Sequence, residues 1–232
     1  MKKFSTPLLA LLAMLVGGTA IAQDKTYKVA LDGTFAPHAM PKLDGGVEGF
    51  NVDLANALAT ELGAKLDLTA AQWSGLLPGM QAGTYDFLVA PTTVTEERTK
   101  NMLFSEGYLN TDFQFAVKAD APDVDSLEGF KGKTIAVNKG SAYDKWARDL
   151  EGKIGWTVES YGTNADAVQA VVSGRAFANV AGNTVTAWAV KKTTGLKLSY
   201  LHSTGKVFAI PSVSYTHLTL PTTSALCRSR WG

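Results

Sequence analysis

The chain has 232 residues, 46% of them hydrophobic, with 22 basic against 21 acidic side chains and a net charge of +1. Setting aside Lys2, Lys3, Arg228 and Arg230 in the two terminal segments leaves 18 basic residues against 21 acidic, a net of −3, which argues against nucleic acid or an anionic membrane as partner. The only cysteine, Cys227, excludes an internal disulfide, so the core rests on packing, for which a chain of this size is sufficient.

The chain opens with Met1-Lys2-Lys3, an apolar run from Pro7 to Val16, and Ala20-Ile21-Ala22 before Gln23. A basic start, a short greasy core and small residues before the break predict a secretory signal peptide over residues 1–22, cleaved after Ala22. The apolar run is too short for a membrane span. No cysteine follows the break to carry a lipid anchor, so the mature protein is expected free in a periplasm.

Tyr27 to Leu31 reads as a strand running into the loop Asp32 to His38. Gly45-Gly46 reads as a turn between two short extended pieces. Asn51 is the expected N-cap of a helix with Ala55, Leu58, Ala59 and Leu62 on one face and Gly63 as its stop. Lys65 to Thr69 is a strand, and Ser74 caps a helix through Met80 that ends by Gly83. Tyr85 to Ala90 is an apolar strand of the buried, parallel type. Thr95-Glu96-Glu97 then caps a helix with Arg98 in its first turn.

Phe113 to Lys118 is extended, and Ala121 to Asp125 is loop-like. Strands follow at Thr134 to Val137, Thr157 to Ser160, Ala178 to Ala181 and Lys197 to Leu201. Between them lie helices at Ala142 to Leu150 after the Gly140-Ser141 turn, at Asn164 (as N-cap) to Ser173, and at Thr184 to Lys192; Val207 to Ile210 is extended again. This alternation predicts an α/β fold with mostly parallel sheets. Two extended segments, 112–118 and 205–211, bracket a self-contained set and are expected to be hinge crossings between lobe 1 (27–111) and lobe 2 (119–204). A ligand would sit between the lobes at strand carboxyl ends.

Arg98 stands out chemically. A cation in the first turn of a helix opposes the positive end of the helix dipole, so it gains little for folding and invites the reading that it holds an anion. Pairing with Glu96, Glu97 or Glu106 on the surface is the competing explanation. Thr93 can add a hydroxyl near it, and Gly140-Ser141 opens a helix whose N–H groups can bind an anion from the other lobe. Ser141 also suits a plain N-cap, Trp73 and Phe35 suit a core, and Asp32 suits a loop acceptor. Gly132-Lys133-Thr134 imitates a phosphate loop, but Leu127 stands where that motif needs glycine. His38, His202 and His217 show no metal spacing, and no nucleophile stands with a base. No catalytic residue, metal or cofactor is therefore expected.

Several stretches together carry a family resemblance: GFNVDLANALATELG (Gly49–Gly63), WSGLLPGMQAGTYDF (Trp73–Phe87), TVTEER (Thr93–Arg98), FSEGY (Phe104–Tyr108), GKTIAVNKGS (Gly132–Ser141) and VQAVVSGRA (Val168–Ala176). From Tyr27 to Pro211 the chain resembles the periplasmic amino-acid-binding proteins of ABC importers, solute-binding family 3. The resemblance implies a two-lobed, hinged α/β fold of the type II periplasmic-binding-protein class, a polar α-amino acid as ligand, a membrane permease as partner and a monomeric binding protein with no chemistry of its own. It implies that Arg98 holds the ligand carboxylate, with Ser141 as the donor from the other lobe and Thr93 helping to hold the ammonium. Asp32 and Phe35 match positions lining the side-chain pocket, and Trp73 matches a wall position. Three positions depart from the pattern. Asn183, in Ala181-Gly182-Asn183, stands near where an acid often pairs with the ammonium and is the expected neutral acceptor; Pro91 lacks an N–H; and Phe177 replaces a frequent aspartate. Beyond Pro211, residues 212–232 contain no acid and include VSYTHLTLPTT, which looks like translated sequencing-adapter DNA, so this tail is expected to be non-native and the first lobe incomplete. The alternatives are a dehydratase-like secreted enzyme on the same fold, with His38 and Asp32 as its acid–base pair, and a ligand-sensing module.

Overall fold

The computed structural model describes residues 25–213, so the expected signal peptide and nearly all of the expected non-native tail lie outside the described residues. Strand β1 (Thr26–Asp32) buries Val29, Ala30 and Leu31 completely. A hairpin of β2 (Met40–Pro41) and β3 (Val47–Glu48) follows, turned by Gly45 and Gly46 at positive φ. Helix α1 (Phe50–Leu62) turns Ala55 and Leu58 inward and stops where Gly63 adopts the left-handed conformation. Its N-cap is Gly49, not Asn51. Asn51 is fully buried in the first turn, where interior partners replace the capping role.

Strand β4 (Lys65–Ala71) leads to α2 (Trp73–Gln81), which begins one residue before the expected Ser74 cap. The Asp32 carboxylate hydrogen-bonds the Trp73 backbone and so serves that helix start from outside. Strand β5 (Phe87–Leu88) is shorter than expected but runs parallel to β1. After β6 (Thr92–Thr93), the single-turn helix α3 (Glu96–Thr99) is capped as expected, with the Thr95 hydroxyl accepting the Arg98 N–H. Strands β7 (Leu103–Phe104) and β8 (Leu109–Asn110) complete this part.

Then come β9 (Phe113–Lys118), β10 (Thr134–Asn138), α4 (Ala142–Leu150), β11 (Thr157–Tyr161), α5 (Asn164–Val172), β12 (Ala178–Gly182), α6 (Asn183–Lys192) and β13 (Leu196–His202). The chain returns through β14 (Val207–Ala209) and β15 (Pro211–Ser212). The cap of α5 is Thr163, one residue before the expected Asn164, because Thr163 and Asp166 bond each other reciprocally.

Two five-stranded sheets result, in the orders β4-β1-β5-β15-β7 and β11-β10-β12-β9-β13. In each, four strands point one way and the fourth in order, β15 or β9, runs against them. The molecule is thus a two-lobed α/β protein, joined by the three-stranded sheet β6-β14-β8. This corrects one expected crossing strand. Phe113–Lys118 is a buried internal strand of the second sheet, and β8 just before it pairs with the returning β14. An extended apolar run reads alike in either place, since its pattern does not reveal which strands will pair with it. Among the described residues no helix is long and apolar enough to cross a membrane.

Candidate functional site

The two lobes meet where strand carboxyl ends and helix starts converge. Asp32 ends β1, Trp73 opens α2, Thr93 lies in β6, Arg98 in α3, and Ser141 caps α4. These five and Phe35 line one small space of about 20 Å³ between the lobes. Trp73, Arg98, Ser141 and Ala142 also border a wider cleft of about 800 Å³. Asn183 is not among the lining residues. Its side-chain oxygen accepts the N–H of Thr184 at 3.0 Å, because a short polar side chain opening a helix finds its own backbone first.

Arg98 is half-buried, and its Nη1 donates to the Thr93 carbonyl at 2.9 Å. The guanidinium carbon lies 5.4 Å from the centre of the Trp73 ring. The two glutamates nearest in sequence are engaged elsewhere: Glu96 pairs with Lys100 and Glu97 with Lys145, each at 3.5 Å. Among the described residues, no carboxylate forms an ion pair with Arg98. Burial draws its pKa down from the usual guanidinium value, while Tyr143 and Glu97 push back.

Ser141 fills the capping role and keeps a donor for a ligand. Its Oγ accepts the Asp144 N–H at 3.1 Å, leaving the hydroxyl proton for another partner. The Asp144 carboxylate takes the Gly140 N–H, Arg148 Nε and the Ser160 hydroxyl at 2.8, 2.9 and 2.8 Å, which fixes the loop before the helix. The first-turn N–H groups of Ala142 and Tyr143 have no intrahelical acceptor, as at any helix start.

Asp32 has a double role too. One oxygen accepts the Thr34 N–H and hydroxyl at 2.9 and 2.6 Å, and the carboxylate lines the small space. Burial raises its pKa, and the bonds from Thr34 and Trp73 offset part of the rise.

Several contacts bind lobe to lobe. Trp73 Nε1 donates to the Gly140 carbonyl at 3.0 Å, and Lys145 reaches Glu97. Phe35 leaves the first lobe to pack in the second lobe's core beside Tyr143 and Phe113. The Tyr143 hydroxyl sits among Thr93, Thr111 and the Gly182 backbone. The lobes are closed on one another.

His38 adds a further bridge that the sequence did not disclose. Asn51 Nδ2 donates to the Val89 carbonyl and the Tyr108 hydroxyl, so Asn51 Oδ1 is the acceptor for His38 Nδ1–H at 3.0 Å. His38 Nε2 then accepts from the Thr184 hydroxyl at 3.0 Å. With both nitrogens engaged and His38 absent from the lining, no acid–base pair with Asp32 is assembled. Burial pushes His38 down to about 4. Above 6.5 neither the folded nor the unfolded chain protonates it; between 6.5 and about 4 the unfolded chain takes a proton the folded one refuses, so stability falls as pH falls. By denaturant titration, the stability advantage of the wild type over His38→Gln is expected to shrink by roughly 3 kcal/mol across that window. A constant difference would mean that His38 is not held neutral.

The lining also includes Pro91, which the resemblance marked as lacking an N–H, and Asn138, Ala142 and Tyr143, which the sequence reading did not place in the site. For Asn138 a faint signal existed, a polar residue ending an otherwise apolar strand; Tyr143 carried none.

The sequence profile of the bacterial extracellular solute-binding proteins, family 3, matches residues 27–208. The chain is 31% identical over 160 residues to an L-arginine-binding protein of Pseudomonas aeruginosa, covering 69% of this chain and 62% of that protein's length. Among solved structures, an ancestral arginine-binding protein bound to arginine is 30% identical with a TM-score of 0.79, covering 85% of this chain and 88% of the other. An ancestral arginine-binding protein bound to glutamine gives 30% and 0.78 over the same shares.

Proposed function

Because this chain belongs to the bacterial extracellular solute-binding proteins of family 3, we propose that it is the periplasmic binding component of an ABC importer, carrying an α-amino acid to a membrane permease. The observation that carries this reading is a half-buried guanidinium with no carboxylate ion-pair partner among the described residues, from one lobe, facing the same space as a serine-capped helix start from the other. A ligand carboxylate satisfies both. Each charge-assisted bond contributes about 1.5–3 kcal/mol, and three or four of them, after the cost of association, reach roughly −8 kcal/mol, a micromolar Kd.

Thr93 supplies a hydroxyl near the ammonium, while Asp32, Phe35 and Trp73 surround the side chain. A carboxylate and two aromatic rings in the same lining favour a cationic or amide side chain. The arginine-bound neighbours and the P. aeruginosa relative support arginine as the first ligand to try. The small space of 20 Å³ holds about one water molecule. An amino acid therefore enters only when the lobes part, and closure follows binding.

A thermal-shift screen of the twenty amino acids tests this. A ligand at about one hundred times its Kd adds roughly 2.7 kcal/mol of stability, or about 5–11 °C in Tm for a chain of this size. L-Arginine is expected to give such a shift. No shift with any amino acid on the folded protein would contradict the reading.

A further inference from the structure

Asn138 closes β10 at 2% exposure, and its side-chain oxygen has no hydrogen-bond partner. Buried acceptors are normally paired, and an unpaired one is costly. Two other buried side-chain oxygens lack a partner among the described residues, Asn179 Oδ1 and Ser199 Oγ, and neither lines the small space between the lobes. Asn138 does.

Two other acceptors facing that space already carry internal bonds, although the Asp32 carboxylate keeps capacity for a ligand side chain. The Asp32 carboxylate holds Thr34 and the Trp73 backbone, and the Thr93 carbonyl holds Arg98. Residues 181–183 bring no acid, and Asn183 turns its oxygen to its own helix. A bound amino acid brings at least three N–H groups that require acceptors. The amide oxygen of Asn138 is free to take one.

We infer that Asn138 is a ligand-contacting residue that helps set specificity, its amide oxygen accepting an N–H of the bound amino acid. This rests on the amino-acid-binding reading above. The N–H belongs either to the α-ammonium or to a side-chain nitrogen such as that of a guanidinium, and both are cationic donors of the same kind.

The test is calorimetric titration of the full chain with L-arginine, and with δ-guanidinovalerate, which is arginine without its α-amino group. Asn138→Leu keeps the volume and removes the acceptor; Asn138→Asp keeps the shape and the acceptor. Asn138→Leu is expected to bind L-arginine at least 10-fold more weakly than wild type, and Asn138→Asp to retain wild-type affinity or better. The unliganded Tm of Asn138→Leu should equal or exceed that of wild type, because no internal hydrogen bond is lost. A merely structural asparagine would lower that Tm. A deficit for L-arginine alone assigns the bond to the α-ammonium; a deficit for both compounds assigns it to the side chain. Wild-type affinity in Asn138→Leu, or an equal loss in Asn138→Asp, would overturn the role of Asn138 while leaving the binding function intact. A wild-type chain that binds no amino acid would overturn both.

Discussion

Replacing Arg98 by alanine is expected to weaken binding of the cognate amino acid by roughly 30- to 3,000-fold, since truncating one partner of a buried, charge-assisted pair costs about 2–5 kcal/mol. The loss is large because the guanidinium is pre-positioned. Its bond to the Thr93 carbonyl and its place over the Trp73 ring fix its orientation before a ligand arrives. Arg98→Lys is not expected to rescue binding, because a compact ammonium cannot present two parallel donors to a carboxylate. The unliganded fold should lose about 1.5–3 kcal/mol, the worth of the charge-assisted bond to Thr93. Titration of both variants alongside thermal unfolding separates the two effects. Unchanged affinity in Arg98→Ala would reduce Arg98 to a scaffold residue.

The second large effect is on stability and reaches the site through the backbone. Gly49 has φ near +132°, and a Cβ added there would lie 2.6 Å from the Pro37 carbonyl oxygen and 2.7 Å from that of His38. Both obstacles are backbone and cannot swing aside. The same two carbonyls accept the N–H groups of Phe50 and Asn51 at 3.2 and 2.8 Å, so any retreat breaks the bonds that hold the loop carrying Phe35 and His38 against α1. Gly49→Ala therefore combines conformational strain with overpacking, about 2–5 kcal/mol together, and lowers Tm by roughly 4–20 °C. Gly45 provides the control. It also has positive φ but nothing within 4 Å of an added Cβ, so Gly45→Ala carries the strain without the clash. Equal Tm losses in the two variants would refute the steric argument.

Much of this architecture is written locally. Helix α4 follows from Ser141 and Asp144 at its start, and the parallel strand at Phe87–Leu88 from its apolar run. Arg98 was conspicuous because a cation at the positive end of a helix is out of place electrostatically. Two of the misreadings share one cause, a partner distant in sequence. Asn51 resembles a cap until Val89 and Tyr108, 38 and 57 residues away, claim its amide. Phe113–Lys118 resembles a crossing until β12 and β13 are seen on either side. Asn183 failed for the opposite reason, a local bond to Thr184 outcompeting the site. Asn138 showed only as a polar residue ending an apolar strand; the missing partner that marks it out appears only in the fold.

The central claim is that one guanidinium and one serine-capped helix start, on opposite lobes, hold the same carboxylate. A crystal structure of the full chain with L-arginine tests it most directly. The expected result places the ligand carboxylate within about 3 Å of both the Arg98 guanidinium and the Ser141 hydroxyl. A carboxylate bound elsewhere, with Arg98 still bonded only to the Thr93 carbonyl, would contradict it.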